Sequence, residues 1–347
     1  MSLTILSVAY PLAPVSADAV GGAEQVLAQL DQALVAAGHR SVVVAQEGSR
    51  VAGTLVTVPA PSGTLDEAAK ATAQARTRDA IVSALARFPV DLIHLHGIDF
   101  DAYLPPPGVP VLATLHLPPS WYAETALCPA RPDTWLHCVS EVQHRDCPPG
   151  INLLPPIPNG VDVDALAGRH AKRNFALMLG RICPEKGVHL ALEAAKRAGV
   201  PLLIAGEVYG YEAHRRYFND EVRPRLDRHR RFLGPVGFAR KRRLLNAARC
   251  LLVPSLAPET SSLVAREALA SGTPVIAFPN GALAETVEHG RTGFLVENVE
   301  SMAAAILEAD TLDPETCREV ARERFRADTM IAAYLDLYAR LAAGRAA

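Results

Sequence analysis

The sequence predicts an α/β protein built from two doubly wound parallel-sheet domains, and three observations carry that prediction. Short apolar runs alternate with helical segments along the chain, and the runs are apolar on both faces. One proline-rich stretch breaks the alternation near the middle. Strands covered by helices on both sides lose the in–out alternation of half-exposed sheets, which is why continuous apolar runs point to a parallel sheet.

In the first half the strands read as "LTILSVA" (3–9), "SVVVAQ" (41–46), the shorter "TLVTVP" (54–59), "DLIHLHG" (91–97), "VPVLATLH" (109–116) and "TWLHCVS" (134–140). Helical segments lie between them, in "GGAEQVLAQLDQALVAAG" (21–38) and over about 65–87. The stretch 147–162, with five prolines, cannot sustain a helix or a central strand and is the expected linker. Beyond it come "FALMLG" (175–180), a helix over 186–199, "PLLIAGE" (201–207), a helix over 211–228, "RRFLGPV" (230–236), a helix over 239–248, "CLLVPS" (250–255), a helix over 262–271, "PVIAFPN" (274–280) and "GFLVEN" (293–298). The boundaries drawn are 1–155 and 156–327. Residues 328–344 form a last amphipathic helix, expected to cross back to the first domain.

The bulk numbers exclude several classes. The chain has 347 residues, 49% of them apolar, and a formal charge of −2, so it is not a protein that coats nucleic acid. Six scattered cysteines without a C-x-x-C pair read as reduced thiols. The start "MSLTILSVAYP" has no basic region and meets Pro11 early, unlike a signal peptide, and no apolar run reaches bilayer length. A cytoplasmic location is expected, with peripheral contact at the inner membrane face left open by the basic run at 223–243.

The segment "APETSSLVAREALASG" (257–272) carries the chemistry. Glu259 stands in a loop after a strand, Ser261 or Ser262 can cap the helix that follows, and Glu267 lies inside that helix. The free amides of Leu263 and Val264 favour an anion at the helix mouth. Glu267 stands about 7 Å further along the axis at about 1.5 Å per residue. A diphosphate at the mouth would have a carboxylate on each side, matching the order hydroxyls, charge, hydroxyls of a sugar–diphosphate–nucleoside.

This Glu259–Glu267 pattern, E-x7-E followed by "ALASGTPVIA", resembles the signature of retaining glycosyltransferases of family 4. "GGAE" (21–24), "LGRICPEKG" (179–187), "IPNGVD" (157–162) and "LAETVEHGRTGFLV" (283–296) resemble further family segments in the right order. The resemblance implies the GT-B fold, two Rossmann-like domains facing across a cleft, the first for the acceptor and the second for a UDP- or GDP-linked sugar donor. It implies that Arg181 and Lys186 hold the diphosphate, Glu267 the ribose hydroxyls and Glu259 the transferred sugar. The amides of Leu263 and Val264 would bind phosphate with Ser261 and Ser262 beside them. Gly21 and Gly22 would let a loop approach the same group, Val236 would meet the nucleobase, and His116 would lie near the sugar's reacting face. No metal cofactor is implied. The acceptor would be a saccharide, a lipid-linked sugar or a small hydroxyl compound. Where family members often read E-x-F-G, this chain has "ETSS".

Plainer readings compete. Glu267 could pair with Arg266 or Arg243 on a helix surface, and "RKRR" (240–243) could be a solvated face. His94 and His96 face the same side of a strand and with His116 suggest zinc, but spacing supplies no fourth ligand. "DVD" (162–164) reads as a turn rather than a metal motif. Trp121 and Tyr122 are candidate stacking platforms for the acceptor. An epimerase or hydrolase of nucleotide sugars, a catalytically inactive nucleotide-sugar-binding partner and a dinucleotide oxidoreductase are the rival functions. The last is disfavoured because no G-x-G-x-x-G follows the first strand. Truncating Glu267 or Lys186 is expected to abolish transfer and spare the fold.

Overall fold

A computed structural model describes residues 2–344 except 62, 64 and 169. The chain forms two compact units, one of residues 1–158 with 330–347, the other of residues 159–329. The last helix, Ala327–Ala342, carries the chain back into the first unit.

The first unit holds seven parallel strands in the order β3-β2-β1-β4-β5-β6-β7: β1 Thr4–Val8, β2 Arg40–Gln46, β3 Thr54–Val58, β4 Leu92–Leu95, β5 Val111–Leu115, β6 Thr134–Cys138 and β7 Leu153–Leu154. Leu6, Val42, Val44, Ile93, Val111, Ala113 and Leu136 build its core with Ile81 and Ala84 of the helix Glu67–Arg87. Asp66 caps that helix by accepting from the Ala69 amide at 2.8 Å. β7 lies inside the proline-rich stretch, a correction to the linker reading. Two residues at the sheet edge, between Pro149 and Pro155, need only one donor toward β6, so the prolines do not forbid it.

The second unit holds six parallel strands in the order β10-β9-β8-β11-β12-β13: β8 Ala176–Leu179, β9 Leu202–Ala205, β10 Arg230–Phe232, β11 Cys250–Val253, β12 Val275–Ala277 and β13 Gly293–Leu295. Strand order reverses between β8 and β11, the place where open α/β sheets bind ligands beyond their carboxyl ends. The expected helix over 211–228 is shorter: it runs Glu212–Tyr217, widens into a π turn over Phe218–Val222 and tightens at Arg223–Arg225. Pro224 has no amide to continue the ladder. The helices Val299–Glu308 and Pro314–Arg324, absent from the sequence reading, complete the unit.

"DVD" is a cap. The Asp162 side chain accepts from Ala165 N at 2.9 Å, and Asp164 pairs with Arg326. Among the described residues no helix is long and apolar enough to cross a membrane.

Candidate active site

The loops that follow β8 and β11 are stitched together. The carbonyl of Glu185 accepts from Leu256 N at 2.8 Å, and Gly187, at φ 62°, lies so close to the Pro254 carbonyl that a β-carbon would stand 2.1 Å from it. Glycine is required there by both conformation and space. Lys186 ends a short 3₁₀ turn, Pro184–Lys186, and its ammonium meets the Glu259 carboxylate at 2.6 Å. The Ser255 hydroxyl donates to the same oxygen. Burial alone would raise the Glu259 carboxyl, but Lys186, Ser255 and Arg181 outweigh it and hold it below the usual value.

Glu259 is fixed through its backbone. Its amide donates to Asn280 O at 3.3 Å, and its carbonyl accepts from Ala282 N at 2.7 Å. Gly281, at φ 62°, leaves room for that carbonyl, where a β-carbon would stand 2.3 Å away.

The helix Leu263–Ala270 starts at Ser262, whose φ of 50° is in the left-handed region that non-glycine residues seldom enter. This is the last residue of "ETSS", where the family often has glycine, so the backbone keeps the glycine-type conformation with a serine in it. Ser262 is the N-cap, yet its hydroxyl caps nothing; the hydroxyls of Ser261 and Ser262 are both buried without a hydrogen-bond partner. The first amides to bond back are those of Ala265 and Arg266, on the Ser262 carbonyl, which leaves Leu263 and Val264 at the mouth.

Glu267 is 5% exposed and pairs at 2.5 Å with Lys241, through Oε1, while its Oε2 is buried without a partner. Neither Arg266 nor Arg243 takes that place. Arg266 points elsewhere, donating to Asn159 O and lying 4.9 Å from the Phe325 ring centre. The "RKRR" run is therefore not uniformly solvated: Arg240, Arg242 and Arg243 are exposed, and Lys241 turns inward. Sequence reasoning missed Lys241. The available signal was its helical phase, three and four residues before the apolar Leu244 and Leu245. It also changes one expectation, since removing the Glu267 carboxylate would strand a mostly buried ammonium and should cost stability as well as binding.

Arg181 is half-buried between β8 and this turn, and Val236 is half-buried just before the helix Phe238–Ala247. A buried polar rim without internal partners, two carboxylates and three cations thus surround one helix start. Such a set can take up an anion and hydroxyl groups together.

In the first unit, Gly21 precedes the helix Gly22–Ala36, and Glu24 folds over it, so that a β-carbon at Gly21 would stand 1.8 Å from the carboxylate. His116 follows β5. Its Nε2 meets His96 Nδ1 at 3.0 Å, and burial, helped by His137, pushes its pKa down to about 3. His94 bonds Tyr338 at 2.8 Å and Thr114 at 2.6 Å, and Thr114 bonds His137 at 2.7 Å. The histidines suggestive of zinc are thus a neutral hydrogen-bonded web. Tyr122 is likewise corrected: it is buried, and its oxygen accepts from the His116 and Leu117 amides, while Trp121 is 42% exposed.

Two family models match in sequence order, "Glycosyltransferase Family 4" over residues 20–165 and "Glycosyl transferases group 1" over residues 173–309. The chain belongs to glycosyltransferase family 4. It is 33% identical over 184 residues to a phosphatidyl-myo-inositol mannosyltransferase of Mycobacterium leprae, a match covering 49% of this chain and 46% of that one. The chain spans about half the length of the curated relatives it matches. Among solved structures it resembles AviGT4, a glycosyltransferase involved in avilamycin A biosynthesis, at 25% identity and a TM-score of 0.72, covering 99% and 98% of the two chains. It shares the fold of sucrose-phosphate synthase from Thermosynechococcus elongatus, at 21% identity and a TM-score of 0.79, covering 99% and 100%. The two parallel-sheet units are those of the GT-B fold seen in these neighbours.

Proposed function

We propose that the chain is a retaining glycosyltransferase that moves a sugar from a UDP- or GDP-linked donor to a hydroxyl acceptor. The observation that carries this reading is the mouth of the helix Leu263–Ala270: free amides, buried hydroxyls without partners, and Glu259 and Glu267 each holding a lysine. The family and its sugar-transferring relatives support it.

In this mechanism the diphosphate takes the amides of Leu263 and Val264 and draws Lys186 and Arg181 to it. Lys186 leaves Glu259, which turns to the hydroxyls of the sugar; Glu267 takes the ribose with its spare oxygen. Charge-assisted bonds of this kind are worth about 1.5–3 kcal/mol each. The bond from the anomeric carbon to the phosphate oxygen breaks, the acceptor oxygen bonds to that carbon on the same face, and the acceptor proton passes to the departing phosphate. The guanidinium and the ammonium stabilise the charge that develops there, a task they perform without a metal ion. His116, neutral at physiological pH, orients a hydroxyl group and is not an acid. The first unit would supply the acceptor surface, with Trp121 as its exposed aromatic.

A second reading, a nucleotide-sugar-binding protein without transfer, is favoured by one observation, the serine at the left-handed Ser262 position. Incubation with UDP- and GDP-sugars, with and without candidate acceptors, separates the two. Acceptor-dependent release of nucleoside diphosphate supports transfer. Donor hydrolysed without acceptor, or bound and never consumed, rejects it.

A further inference from the structure

Beside this site a second constellation is formed by residues that the transfer mechanism does not use. Cys183 and Glu185 lie in the loop after β8, and His214 lies in the helix Glu212–Tyr217 after the neighbouring strand β9. Their Sγ, carboxylate oxygen and imidazole nitrogen all lie within 4.8 Å of one another, the only such trio of metal-type ligands among the described residues. Cys183 is buried, and its thiol has a long contact, 3.9 Å, to the Arg181 carbonyl and meets the Glu185 carboxylate. His214 sits against the rings of Tyr209 and Tyr211, and its Nδ1 is buried without a hydrogen-bond partner.

We propose that Cys183, Glu185 and His214 form a binding site for a borderline-soft divalent cation, Zn²⁺ foremost. Thiolate, imidazole and carboxylate together are a zinc donor set; calcium and magnesium would reject the sulfur. Ligand atoms on one tetrahedral zinc stand about 3.5 Å apart, so the side chains close by about 1 Å around the ion. A thiolate and a carboxylate cancel its two charges, and the complex is neutral beside Arg181. The thiol proton is released to solvent on binding. The ion ties the loop bearing Arg181 and Lys186 to the helix Glu212–Tyr217 and leaves its fourth position to water. It takes no part in sugar transfer, and this inference stands whether or not transfer occurs.

The test uses the full chain, purified without a histidine tag and stripped of metal, and titrated with Zn²⁺ and with Co²⁺. One equivalent of Co²⁺ is expected to give a thiolate charge-transfer band in the near ultraviolet, and Zn²⁺ to displace it and raise the melting temperature. Cys183→Ser abolishes the band and His214→Ala weakens binding roughly tenfold or more. Cys128→Ser, at the exposed cysteine, changes neither. His214 is half-exposed, so its variant carries the test if Cys183→Ser does not fold. A band that survives Cys183→Ser, full affinity in His214→Ala, loss of the band in Cys128→Ser, or no response of the wild-type chain to Zn²⁺ overturns the proposal.

Discussion

The two units treat their buried polar groups in opposite ways. The second keeps ions, in two glutamate–lysine pairs, with oxygen atoms left over at Glu267, Ser261 and Ser262. The first keeps imidazoles neutral, in a web of His94, Thr114, His137 and two tyrosines, where nearly every valence is used. An ion pair with spare acceptors is incomplete without a ligand, whereas a closed neutral web is complete as it stands. The difference marks the ion pairs of the second unit as recognition and the web of the first as architecture. His96 and His116 are the boundary case, since His96 Nε2 is buried and unbonded.

Acidification should give the largest contrast. Burial holds His94 and His96 well below their ordinary value, His116 at about 3 and His137 at about 4. Below the unfolded value near 6.5 the unfolded chain therefore binds more protons than the folded one. Stability is lost as pH falls from about 6.5 toward 4, by about 1.4 kcal/mol per pH unit for each histidine that stays neutral. In the second unit His189 and His214 are lowered too but are less buried. Glu259, held low, loses its contribution only below its unfolded value near 4.5. Hydrogen exchange at pH 5 should therefore open residues 1–158 before residues 159–329; equal opening breaks the contrast.

Lys186→Gln should separate recognition from architecture. It keeps a donor beside the mostly buried Glu259 carboxylate but removes the charge, so the melting temperature should nearly hold while kcat/KM falls about a hundred- to a thousandfold. Tyr338→Phe should do the reverse, destabilising by about 1–3 kcal/mol through the unpaired His94 nitrogen and sparing turnover. A variant pair that behaves alike would erase the distinction.

Glu267 belongs to both categories. Glu267→Ala strands Lys241 and should cost up to about 3 kcal/mol as well as nucleotide binding. Glu267→Gln keeps a partner for Lys241, so calorimetry should find weak nucleotide binding in a chain that melts nearly normally.

The smallest effect is expected at Ser262. Glycine would relieve the left-handed strain of about 1–2 kcal/mol but loosen the unfolded chain by about 0.4–1 kcal/mol, so thermal stability should shift little. Loss of its buried hydroxyl should weaken nucleotide binding by about two- to tenfold. Unchanged affinity would mean that Ser262 only fills the loop.

Much of this was legible in the chain. Apolar runs located the strands because burial on both faces leaves no room for polar residues, and Glu259, Arg181 and Lys186 stand in loops whose glycines, such as Gly187 and Gly281, are demanded by close contacts. The inward face of Lys241 could be read from its helical phase, but its partner could not, because Glu267 lies 26 residues away in sequence. The histidine web was not legible either. His94, with His96 and His116, looks like a ligand until Tyr338, 244 residues further along the chain, supplies its partner. Trp121 and Tyr122 are equal candidates by location alone, and only the turn after β5 leaves the first exposed and the second buried.

The re-entry of residues 330–344 into the first unit has a consequence for synthesis on the ribosome. Residues 159–329 can condense as soon as they emerge, whereas the earlier segment lacks Tyr334 and Tyr338 until residues 330–344 have followed them. Until then the polar slot around His94 and Thr114 lies uncovered on its sheet. Of the two units, the one made earlier is thus the one completed later.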